Sequence, residues 1–174
     1  MNLAETHPSG PPASAGPVFD VLAAMVRGLT GLALVLLVLL VCAEIVTRFF
    51  FNHSLMIVEE LAGYLVVGLT LFGASLSLRN NSLFQVGFVL HALPSGTQRL
   101  LNLLFMLLSL SVCGVLIWQT CKLVMSSYAR GNVAPTTLMT PLWIPQLLVP
   151  LGLLMIALFI VEKLIVTLRT GRAE

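Results

Sequence analysis

The polar positions divide the chain into four long apolar runs. Sixteen uncharged residues lie between Arg27 and Glu44, eighteen between Glu60 and Arg79, twenty-two between Arg99 and Lys122, and thirty-one between Arg130 and Glu162. Crossing the hydrocarbon core of a bilayer takes about 20 apolar residues at about 1.5 Å each. The runs therefore predict transmembrane helices over residues 25–48, 58–79, 99–125 and 143–168. Backbone groups find no water in lipid, which restricts spanning structures to helices and closed barrels. These continuous Leu/Val runs lack the alternation of barrel strands. The expected fold class is an all-α integral membrane protein with four transmembrane helices.

Composition agrees. The 174 residues are 58% hydrophobic and 9% charged with a mean hydropathy of +1.02, which belongs to the membrane class. The opening "MNLAETHPSGPPASAGP" holds four prolines and several small residues. It reads as a flexible tail over residues 1–20, ahead of a membrane domain over 21–168 and a short tail over 169–174. It lacks the basic start of a secretory signal, and the apolar run after it is too long and too late.

Four spans place both termini on one side. That side then carries Arg27, Arg79, Arg99, Lys163, Arg169 and Arg172, and the other carries Arg48, Lys122 and Arg130. Six against three puts both termini in the cytoplasm by the positive-inside rule. A net charge of +2 without a basic run or aromatic platform gives no nucleic-acid partner.

The few polar residues near the spans are the candidate functional positions. Glu44 precedes Arg48 by four residues, the favoured orientation for an ion pair on one helix face, and both fall near the outer end of the first helix. Glu59 and Glu60 open the second helix, where carboxylates suit the positive end of the helix dipole. Neighbours on a helix diverge by about 100°. One glutamate can thus face Arg48 while the other faces a partner or water.

As a catalytic pair they lack any nucleophile or metal ligand spaced to join them. His7, His53 and His91 are scattered and read as loop residues. The cysteines Cys42, Cys113 and Cys121 form no C-x-x-C pair and read as small packing residues. No cofactor or enzymatic chemistry is expected.

Gly73 with Ser77, and Thr70 with Ala74, make small-xxx-small spacings of the kind that let helices approach closely in lipid. The stretch 82–91, with Leu83, Phe84, Val86, Phe88, Val89 and Leu90, suits a short interfacial helix. In "TPLWIPQLLVPLG", Trp143 fits the aromatic belt and Pro145 is tolerated near a helix start. Pro150 is expected to kink the helix or keep its first turn irregular.

Three stretches resemble the small permease subunit of tripartite ATP-independent periplasmic (TRAP) transporters, the DctQ-like family. They are Arg48-Phe49-Phe50 with Asn52 and then Glu59-Glu60; Phe72-Gly73-Ala74 with Arg79; and Thr140-Pro141-x-x-Ile144-Pro145 with Pro150-x-Gly152. The chain departs from the family at Ile57, where a Trp is usual. It departs again over Leu83-Phe84-Gln85-Val86-Gly87, where a His-Ile-x-Val-Asp pattern is common.

The resemblance implies a non-catalytic subunit of a bacterial inner-membrane secondary transporter. A large permease subunit would carry the sodium and substrate sites, and a periplasmic substrate-binding protein would deliver an organic acid. Membrane lipids would border the assembly. On this reading Glu44, Arg48, Asn52, Glu59, Glu60, Gly73, Arg79, Trp143, Pro145 and Pro150 are structural or subunit-interface positions. The rival from the residues themselves is an autonomous homodimeric transporter that binds protons or cations at Glu44. A four-helix thiol oxidoreductase is the third reading.

Overall fold

Each apolar run is helical, the fourth as two consecutive helices, and most extend past the span they predict. The computed structural model describes residues 15–51, 56–80, 95–135 and 139–170. Asn52, the three histidines and the proposed interfacial stretch 82–91 lie outside the described residues. Helix α1 covers Pro17–Phe51, α2 Met56–Arg79 and α3 Ser95–Arg130. The fourth run divides into α4, Trp143–Gln146, and α5, Leu148–Thr170. All four runs are long and apolar enough to cross a membrane. The chain is a multi-pass membrane protein.

The helix ends follow from local chemistry. Pro17 opens α1, where its missing N–H would be unpaired in any case. Arg48, Arg79 and Arg130 sit in the last turns of α1, α2 and α3, against the negative end of each helix dipole. With 35 and 36 residues, α1 and α3 are about 52–54 Å long. They overrun a hydrocarbon core of about 30 Å.

After α3, Gly131 adopts a left-handed φ of 63°. The Asn132 amide donates to the Ser127 carbonyl at 3.1 Å and the Gly131 amide to Tyr128 at 3.2 Å, a Schellman cap. The chain then doubles back. Val133 pairs with Pro141, Ala134 N–H donates to the Thr140 carbonyl at 2.9 Å, and Leu142 N–H donates to Asn132 at 3.0 Å. This hairpin carries Thr140 back over the start of α2.

The interruption of the fourth run falls at Leu147, three residues before Pro150. A proline there has no N–H to give the Gln146 carbonyl, so the helix cannot continue regularly through that turn. Leu147 N–H instead reaches both Trp143 at 3.1 Å and Ile144 at 3.2 Å.

The helices stand in a row. Extensive contacts join α1 to α2, α2 to α5 and α5 to α3, giving the order α1–α2–α5–α3. The two inner helices have a neighbour on each side, and α1 and α3 form the edges. The most apolar stretch of α1 contains no buried residue, whereas that of α5 has the largest buried share. Val35, Leu39 and Phe49 on α1, and Leu104, Val115 and Trp118 on α3, are all more than half exposed. Cys113 is buried, but Cys42 and Cys121 are exposed on the edge helices, so only one of the three cysteines packs inside the row.

Candidate functional site

One face of α2 carries the polar contacts that order the row. Glu60, Tyr64, Gly68, Leu71, Ser75 and Arg79 recur every three or four residues, the spacing of a single helical stripe. At its start the Tyr64 hydroxyl donates to Glu60 Oε1 at 2.6 Å, and the Thr140 hydroxyl donates to the same oxygen. Tyr64 and Thr140 lie 3.5 Å apart. The carboxylate thus ties α2 to the hairpin before α4.

Midway along the stripe α2 and α5 approach closely. Gly152 is buried, and a Cβ placed on it would lie 2.5 Å from Leu71 Cβ. Only a residue without a side chain fits between the two backbones. Gly68 is buried on the same face. Ser75 is fully buried and satisfies its hydroxyl on the Phe72 carbonyl at 2.7 Å.

The stripe ends at Arg79, which lies against Glu162 of α5. Nε donates to Oε2 at 2.9 Å and Nη2 to Oε1 at 3.1 Å, a two-pronged pairing. Nη2 also reaches Asp20 Oδ1 of α1 at 2.5 Å. The Arg79 and Glu162 side chains are 7% and 3% exposed, against 52% for Asp20. The guanidinium carbon lies 5.7 Å from the centre of the buried Phe159 ring, and the Ala15 amide donates to Glu162 Oε1 at 3.4 Å. Taking two charges out of water is costly unless geometry and further hydrogen bonds offset it. Here the guanidinium is met by two acids, and three helices are joined.

A third cluster lies at the end opposite Arg79. Arg48 Nη2 is 3.1 Å from Glu44 Oε1 and 3.7 Å from Glu59 Oε1. Glu44 is 12% exposed, whereas Arg48 is 60% and Glu59 74% exposed. The adjacent glutamates therefore serve different contacts. Glu59 faces α1 and Glu60 faces the hairpin.

Of the other positions singled out in the sequence, Trp143 packs edge-on against Tyr128, with ring centres 5.7 Å apart. Pro145 lies within α4, and Pro150 is buried in α5. Gly73 has open space where a side chain would be, so within the chain the close approach falls at Gly152. The structure does not bring these residues to one place.

Asp20, Tyr64, Thr140 and Glu162 were not singled out in the sequence as contact residues. For Glu162 a signal was present. It is the acid that ends the longest uncharged run, and a carboxylate in that position requires a partner. Among the described residues no cluster of three or more His, Cys, Asp or Glu side chains is placed to hold a metal ion. The polar side chains meet one another in separate groups at the two ends of the row, an arrangement suited to fixing helices.

A family model, "Tripartite ATP-independent periplasmic transporters, DctQ component", matches residues 37–170. The chain is similar to the ectoine TRAP transporter small permease protein TeaB of Halomonas elongata, at 26% identity over 152 residues, 87% of this chain and 78% of that one. It is also similar to a putative TRAP transporter small permease protein of Haemophilus influenzae, at 29% identity over 105 residues, 59% of this chain and 65% of that one. The family match runs from within the first apolar run to the end of α5, and with the four-helix row it makes this chain a member of the small-permease (DctQ) family of TRAP transporters.

Proposed function

We propose that the chain is a scaffold subunit that holds a large permease subunit in the bacterial inner membrane. In this reading the large subunit carries out sodium-coupled uptake of an organic acid delivered by a periplasmic binding protein. The observation that carries the proposal is the row of helices, clamped at both ends by its own polar groups. Asp20, Glu44, Arg48, Glu59, Glu60, Arg79 and Glu162 hold α1, α2, α5 and the hairpin together, and the broad apolar sides are left for a partner and lipid. The positive-charge bias supports a cytoplasmic side for both termini and an outer side for the Glu60 end.

Glu44, on which an autonomous transporter would depend, is engaged by Arg48 at 3.1 Å. That contact favours assembly over ion binding. The direct test is purification of the tagged chain from cells that also express a TRAP large permease subunit from the same source, followed by uptake in reconstituted vesicles with and without the chain. The scaffold reading expects co-purification and loss of uptake when the chain is removed. A stable lone protein together with undiminished uptake by the large subunit would overturn it.

A further inference from the structure

The spacing of the polar clusters supplies a depth scale. Glu60 and Arg79 lie nineteen residues apart on α2, about 28 Å, close to the hydrocarbon thickness of about 30 Å. The Glu60–Thr140 and Arg79–Glu162–Asp20 clusters therefore lie near the two boundaries of the apolar slab. On α1, Arg27 follows Asp20 by seven residues, almost on the same helical face. Its backbone sits about 10 Å inside the boundary that Asp20 marks.

Arg27 is exposed there. It has no hydrogen bond or ion pair among the described residues. The acids at that end, Asp20 and Glu162, are both engaged by Arg79. An exposed cation at that depth on an edge helix requires an anion or water.

We propose that Arg27 binds the phosphate of an anionic phospholipid headgroup. Helical side chains tilt toward the N-terminus, which on α1 is the Asp20 end. Arg27 thus carries its guanidinium back toward the boundary, where phosphates lie, while its stem stays in the apolar layer. A guanidinium also matches phosphate oxygens with two parallel donors.

The adjoining surface suits an acyl chain. Gly28 and Gly31 are exposed, and nothing lies within 4 Å of where their side chains would be. Val21 and Met25 beside them are 60% and 61% exposed. The inference does not depend on the transported substrate or on the identity of the large subunit.

The test uses the full-length protein in neutral detergent, titrated with dioleoylphosphatidylglycerol or dioleoylphosphatidylcholine. Unfolding temperature and lipid retention by native mass spectrometry are the readouts. The wild-type protein is expected to gain more from phosphatidylglycerol than from phosphatidylcholine. Arg27→Gln should weaken retention of the anionic lipid about tenfold, Arg27→Lys should restore most of it, and Arg130→Gln at the opposite end should leave it unchanged. Equal response of the wild type to the two lipids, or an undiminished phosphatidylglycerol preference in Arg27→Gln, would overturn the proposal. So would an Arg27→Gln protein that keeps its lipid preference but no longer co-purifies with the large subunit, which would assign Arg27 to a partner carboxylate.

Discussion

Arg79 and Glu162 face one another across α2 and α5, with Nε 2.9 Å from Oε2 and both side chains under one-tenth exposed. Removing Glu162 leaves the buried guanidinium with the half-exposed Asp20 in place of its sheltered partner. Glu162→Ala is expected to destabilise the protein by about 3–5 kcal/mol, and replacing both residues with leucine by less than the sum of the single changes. Thermal or denaturant unfolding of the purified protein in detergent checks both outcomes.

The close approach at Gly152 makes a second prediction. Gly152→Ala forces a methyl group against Leu71, so α2 and α5 must separate, at a cost of about 1–3 kcal/mol. Gly73→Ala meets open space and should leave the isolated chain unchanged within about 0.5 kcal/mol. If Gly73→Ala nevertheless reduces recovery of the large subunit in a pull-down, Gly73 lies at the contact between subunits.

Tyr64→Phe removes the 2.6 Å hydrogen bond to Glu60 and leaves Thr140 as the described side chain still bonded to that carboxylate. Hydrogen exchange at the Ala134 and Leu142 amides, whose bonds close the hairpin, should then quicken. Thr140→Val should do the same. Exchange that is unchanged in both variants would show that the hairpin holds itself.

The Arg48 cluster is mostly exposed, and its two pairs behave differently. Glu59→Gln should change stability by less than about 1 kcal/mol, as surface ion pairs do. Glu44→Gln, which alters the sheltered partner of Arg48, should cost more. In reconstituted uptake normalised to the amount of complex, Glu44→Gln, Arg48→Ala and Glu60→Ala are expected to lower assembly while sparing substrate affinity. Abolished transport with intact assembly in Glu44→Gln would favour the autonomous transporter.

Helix number and approximate position were legible because lipid selects for continuous apolar length, and Arg27–Glu44 or Arg99–Lys122 report that directly. The order α1–α2–α5–α3 was not legible. A helix facing lipid on one side and protein on the other is apolar on both, so no hydrophobic stripe marks its inner face. What does mark it is the rare polar residue, and the stripe from Glu60 through Tyr64 to Arg79 becomes informative only once its partners are known. Thr140 and Glu162 lie 80 and 83 residues away from theirs, beyond the reach of local spacing rules. The pairing of Glu44 with Arg48 was readable because four residues on one helix face fix the distance.

The row order also bears on how the protein is made. Synthesis delivers α1, α2 and α3 before α5, yet α5 is the helix that contacts both α2 and α3. The first two helices can pair as soon as they are inserted, while α3 must wait beside them without its main neighbour. Helix α5 has to enter the gap between two that are already in the membrane, bringing Gly152 to Leu71 and Glu162 to Arg79 in one movement. Helix α5 therefore acts as a keystone, and the row acquires its native arrangement only once α5 has been inserted.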